Sequence, residues 1–154
     1  MLLLLSNELL VLLTAATPVI ELRGAIPLGI ALGLPIAKTW GLAFIGNLLP
    51  IPFILLGIEY LLSQLKKLPG IHGWILRLRE RGSDKLMIKI RRWGWLGLII
   101  FVAIPLPGTG AWTGALAASF LGLKFWPSLF SISIGIAVAG FLVSGIGIGV
   151  LQLF

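Results

Sequence analysis

The chain has 154 residues, of which 58% are hydrophobic and only 11% charged, with a mean hydropathy of +1.10. That leaves too little polar surface to coat a water-soluble globule, so the sequence reads as an all-α integral membrane protein of one small domain. Each crossing uses about 20 residues, which excludes a wide pore within one subunit and makes a homo-oligomer the expected state. The chain has no cysteine, excluding disulfides, thiolate metal sites and cysteine nucleophiles. The single His72 has no second histidine or carboxylate at ligand spacing, so neither a metal nor another cofactor is expected.

In chain order, Met1 to Ile20 carries one charge, Glu8. Its leading leucine run has neither a basic n-region nor a clear cleavage site and reads as a retained, short apolar helix. Thr17-Pro18-Val19-Ile20-Glu21-Leu22-Arg23-Gly24-Ala25-Ile26-Pro27 then places a carboxylate and a guanidinium two residues apart in apolar sequence. A charge at mid-bilayer costs at least about 2.5–3.5 kcal/mol, so two of them mark a substrate or ion site. Residues 39–58 are uncharged and predict a full crossing kinked by Pro50 and Pro52.

Residues 66–92 hold nine of the twelve basic side chains: Lys66, Lys67, Arg77, Arg79, Arg81, Lys85, Lys89, Arg91 and Arg92. So basic a loop stays cytoplasmic and is drawn to anionic lipid headgroups; this clustering accounts for the net charge of +7 without nucleic acid as a partner. Ile71, Trp74, Ile75 and Leu78, then Leu86, Ile90 and Trp93, predict two short amphipathic helices lying in the interface. Residues 93–123 are cut by Pro105-Leu106-Pro107-Gly108-Thr109-Gly110 into pieces of about 18–20 Å, shorter than the roughly 30 Å hydrocarbon core. Phe125 to Phe154 is uncharged, with a face of glycines and serines suited to close helix packing.

The second half repeats the first at an offset of 86 residues: Gly24-Ala25 matches Gly110-Ala111, Ala31 matches Ala117, and Lys38-x-Trp40 matches Lys124-x-Trp126. The expected architecture is an inverted repeat of two re-entrant, broken-helix hairpins, each followed by a transmembrane helix: 1–65, a basic connector 66–92, and 93–154. With the connector inside, Lys38 and both termini lie outside and Lys124 inside. The competing topology has four ordinary spans with both termini inside.

Unwound backbone inside a membrane lines cavities, because its freed N–H and C=O groups need partners. Pro18, Gly24 and Pro27 supply the unwinding, and half-helices starting near Gly24 and Gly110 aim their positive ends at the cavity. Arg23 is the candidate anion clamp, and Thr109, Thr113 and the N–H groups of Gly108 and Gly110 the candidate cradle. Glu21 either pairs with Arg23 or exchanges a proton as substrate enters. Trp112 stacks on a ligand or packs, and Asn47 is read as an interhelical hydrogen-bonding group. No catalytic constellation competes, since the one His and the one Asp both lie in the connector; the protein is not expected to be an enzyme.

Glu21-Leu22-Arg23-Gly24-Ala25-Ile26-Pro27-Leu28-Gly29, with Pro105-Leu106-Pro107-Gly108-Thr109-Gly110-Ala111-Trp112-Thr113-Gly114, resembles the small multi-drug export protein family, prokaryotic membrane proteins of about this length. That family is similar to the DedA (SNARE-associated, VTT) superfamily. The resemblance implies two facing re-entrant elements, a multi-pass protein of the prokaryotic inner membrane, and transport or scrambling of lipids, undecaprenyl phosphate among them. It assigns Glu21 and Arg23 to the first tip and Pro105 through Gly110 to the second. DedA proteins carry arginines at their second break, whereas Phe101 to Gly114 has none here, so a smaller or less charged substrate stays open. The expected function is a transporter or flippase for an anionic lipid or small amphiphile, with a scaffold protein and an oligomeric channel as alternatives.

Overall fold

The computed structural model describes residues 6–65, 93–104, 106 and 108–153. The basic connector 66–92, Pro105 and Pro107 lie outside these residues. Within them the chain is helical: α1 (Asn7–Ala16), α2 (Glu21–Ala31), α3 (Ile36–Leu48), α4 (Ile51–Leu65), α5 (Trp95–Ala103), α6 (Ala111–Phe120) and α7 (Phe125–Leu153).

α1 starts where the Ser6 hydroxyl accepts the Leu9 N–H at 3.3 Å, and stops at Thr17, held extended by the following proline. Four helices are too short to cross a bilayer: α1, α2, α5 and α6 have 10, 11, 9 and 10 residues, about 14–17 Å each. Two stretches are long and apolar enough to cross, Ile36–Ile58 and Phe125–Ile146. The first is interrupted at Leu49 and Pro50, where α3 gives way to α4, as the prolines predicted.

One boundary differs from the sequence reading. Unwinding is confined to Thr17–Ile20, and α2 runs unbroken from Glu21 through Gly24 and Pro27. Gly24 keeps its bond to the Ile20 carbonyl at 3.2 Å, and Pro27 removes a single N–H from a helix its neighbours already hold.

The repeat is present in the turns but at a different register. After α2, the N–H groups of Leu32, Gly33 and Leu34 bond the carbonyls of Leu28, Ile30 and Gly29; after α6, those of Leu121, Gly122 and Leu123 bond Ala117, Ser119 and Ala118. Gly33 (φ 77°) and Gly122 (φ 69°) take the left-handed conformation that ends each helix. The structural offset is therefore 89 residues, Gly33 to Gly122, not 86. At 89 the Lys-x-Trp pairs do not superpose: Lys38 lies inside α3, whereas Lys124 precedes α7.

Packing follows the same register. Gly46 of α3 lies against the Leu12 carbonyl of α1, and Gly135 of α7, 89 residues on, lies against Val102 and the Ile99 carbonyl of α5. Without a Cβ the long helix of each half seats on the backbone of its first short helix, the close approach that membrane helices use in place of a hydrophobic driving force. α7 buries Ile132, Ile136, Ala139 and Val143 and presents Phe130, Ile134, Val138 and Phe141 outward, so its large side chains face lipid. Trp40 joins the long elements, stacked on Phe44 and 4.9 Å from the Phe141 ring, with its indole on Gly140. The halves also exchange partners: α2 packs on α7, and α6 on α4.

Gly46→Ala forces a methyl against a backbone carbonyl that cannot rotate away, and is expected to destabilise by about 1–3 kcal/mol. Gly57, whose Cβ direction is empty, is the control; thermal unfolding in detergent should rank Gly46→Ala well below Gly57→Ala and wild type.

Candidate functional site

The two breaks, Thr17–Ile20 and the stretch after Ala103, meet, and each of the two charges that follow the first break caps a helix beside the second. Glu21 is buried, 6% exposed, and is the first residue of α2. Its φ of 53° is the one positive value among described non-glycine residues, a conformation that costs about 1–3 kcal/mol and persists only when surroundings hold it. What holds it is α6: the Trp112 N–H donates to Glu21 Oε1 at 3.2 Å, and the Ala111 N–H is also directed at the carboxylate. Gly110 lies under that carboxylate, where a Cβ would collide with it. Glu21 thus supplies the anion that the exposed N–H groups and positive end of α6 require.

Arg23, one helical residue beyond Leu22, treats the other side of the break in the opposite sense. Its Nη1 donates to the Leu106 carbonyl, and Nη2 donates to the Ile104 carbonyl at 3.0 Å and Thr109 Oγ1 at 3.3 Å. Ile104 is the cap of α5, so the guanidinium sits at the negative end of that helix. Thr109 ties the loop together: its hydroxyl lies 2.7 and 2.8 Å from the carbonyls of Ile104 and Leu106 and accepts the Leu106 N–H at 3.2 Å.

Glu21 and Arg23 do not pair with each other. The one ion pair within 4 Å among the described residues is Lys38 with Glu8, an exposed contact between α3 and α1. Of the two roles read for Glu21, pairing with Arg23 or proton exchange, the structure does not show the first, because residues i and i+2 at the start of a helix diverge and each finds a helix end instead.

Between these groups lies an open cleft of about 220 Å³ lined by Pro18, Val19, Ile20, Glu21, Arg23, Leu106, Gly108, Thr109 and Thr113. Its lip is apolar and faces outward, with Val19 89% and Leu106 55% exposed. Arg23 Nε is buried without a partner, whereas the Thr113 hydroxyl donates to the Gly110 carbonyl at 3.3 Å.

The family described as "Putative small multi-drug export protein" matches residues 21–142, from Glu21 to the middle of α7. The chain belongs to this family. The match begins just after the first break and includes the second, so Glu21, Arg23, Leu106, Gly108, Thr109 and Thr113 of the cleft lie within it, and Pro18, Val19 and Ile20 precede it. No curated protein and no solved structure matches the chain.

Of the residues singled out from the sequence of this family member, the structure brings Glu21, Arg23, Gly108, Thr109 and Thr113 to the cleft, and Gly110 and Trp112 against Glu21. Gly24 is not in the cleft wall; it accommodates the Ile20 side chain instead. Pro105 and Pro107 lie outside the described residues. Trp112 contributes through its backbone N–H, and its indole N–H is buried without a partner. Asn47 is fully buried, yet neither side-chain amide atom has a hydrogen-bond partner, unlike the interhelical bond expected of it. Sequence reasoning missed the lip residues Val19 and Leu106, whose signal was their position beside the two breaks.

Proposed function

We propose that this membrane protein transports a small amphiphile or lipid, holding its polar head in the cleft between the breaks while the apolar part remains over the lip. The observation that carries this reading is the pair of opposite charges lining one cleft whose rim is apolar and exposed. A charge kept at such depth has its best-attested use on a substrate or ion pathway. In this reading the halves form an inverted repeat of the DedA kind in a prokaryotic inner membrane. Support comes from Glu21 and Gly110, which occupy the same position at the 89-residue register and touch each other, as positions beside a two-fold axis do. Each half holds one stretch long and apolar enough to cross, which supports an axis in the membrane plane. The connector rests inside on anionic headgroups, and subunits associate as a homo-oligomer. Glu21 is the group through which a proton would couple, because protonation deletes the charge that holds it at α6.

Proteoliposomes carrying tail-labelled fluorescent phosphatidylethanolamine or phosphatidic acid test this with dithionite, which bleaches only the outer leaflet. The protein is expected to bring inner-leaflet label to the outside. Arg23→Met should slow that exchange by about tenfold or more, the equivalent of one lost charge-assisted contact. If Arg23→Met and Glu21→Ala proteins both exchange lipid at the wild-type rate, the cleft is not the transport site, and the two charges serve a scaffold.

A further inference from the structure

The transport reading leaves the class of polar head open, and the charge balance of the cleft narrows it. Resting on that reading, we infer that the site selects a compact zwitterion, an ammonium and a phosphate or carboxylate on one head, over a singly charged amphiphile.

Glu21 and Arg23 both line the cleft, and neither has a counter-charge within 4 Å among the described residues. What each has is a helix end: Glu21 the N-terminus of α6, Arg23 the cap carbonyl of α5 at Ile104, with the Leu106 carbonyl of the loop beyond it. A helix end carries roughly half an elementary charge, so each side chain is only about half compensated. The cleft therefore holds a residual negative patch at Glu21 and a residual positive patch at Arg23, with a net charge near zero.

A lone anion in this cleft gains at Arg23 and loses at Glu21, and a lone cation does the reverse. A zwitterion gains at both. A volume of about 220 Å³ accommodates a head of this size but not a whole amphiphile, whose tail must pass the exposed Val19 and Leu106. The same chemistry could come from a lipid head or from a free zwitterion.

Equilibrium binding to the intact, detergent-solubilised protein decides this, using dodecylphosphoethanolamine, dodecyl phosphate, dodecylammonium and free phosphoethanolamine as probes. Dodecylphosphoethanolamine is expected to bind about tenfold or more tightly than either singly charged probe. Glu21→Gln should bring it down to the level of dodecyl phosphate, and Arg23→Met to that of dodecylammonium. Binding of free phosphoethanolamine equal to its dodecyl form would assign a soluble zwitterion; much weaker binding assigns a lipid-like one. Preference for dodecyl phosphate or dodecylammonium, still sensitive to both substitutions, overturns the zwitterion inference and keeps the cleft as the site. Binding that neither substitution changes, in variants still folded at the assay temperature, overturns both.

Discussion

Glu21→Ala is expected to lower the unfolding temperature of the detergent-solubilised protein by roughly 4–8 °C, corresponding to about 2 kcal/mol. The substitution leaves the N–H groups of Trp112 and Ala111 without their carboxylate while the positive φ remains, since alanine is no more at ease there than glutamate. Glu21→Gln, which retains an acceptor of the same shape, should lose less. Gly110→Ala reaches the same result from the other side, because its Cβ takes the space of the Glu21 carboxylate and expels it. The two alanine substitutions remove one interaction, so the double variant should melt close to the worse single variant and fall well short of the sum. Additive losses would mean that the carboxylate and Gly110 act separately.

Arg23→Lys is expected to be nearly as damaging as Arg23→Met. The guanidinium spans three acceptors on three residues, Ile104, Leu106 and Thr109, with two nitrogens in a rigid fork. An ammonium is a point charge that can satisfy one or two of them and cannot hold the loop end of α5 in register. Loss of about 2–4 kcal/mol is expected from both variants, together with loss of transport. Lysine restoring both stability and transport would show that only a positive charge is needed and that the fork geometry is incidental.

Much of this arrangement could be read from the residues. The cost of Glu21 and Arg23 in apolar sequence singled out two residues that line the cleft, and Pro105 through Gly110 marked the second break, because prolines and glycines are the residues that end helices. The short lengths of the half-helices followed from spacing alone. Three things did not follow. Apart from the Thr109 hydroxyl, the partners of Glu21 and Arg23 are backbone groups more than 80 residues away, and backbone has no sequence signature. The repeat register was misread by three residues because Gly-Ala and Lys-x-Trp matches are cheap in so apolar a chain. Leu32-Gly33-Leu34 and Leu121-Gly122-Leu123 carry the true register, since only a residue at ease with positive φ closes that turn. Pro27 was taken as a break, yet tertiary contacts on both sides of α2 hold that helix through it.

Whether the halves enter the membrane from opposite faces is what decides if two such breaks can meet at mid-depth. Single cysteines at 38 and 124, in a chain with no cysteine of its own, report this through a membrane-impermeant maleimide applied to intact cells and then to opened ones. Lys38 is exposed at the start of α3, and Lys124 immediately precedes α7. Position 38 should label in intact cells and position 124 only after opening. Labelling of both from the same face would establish four ordinary spans and remove the facing re-entrant tips on which the proposed site depends.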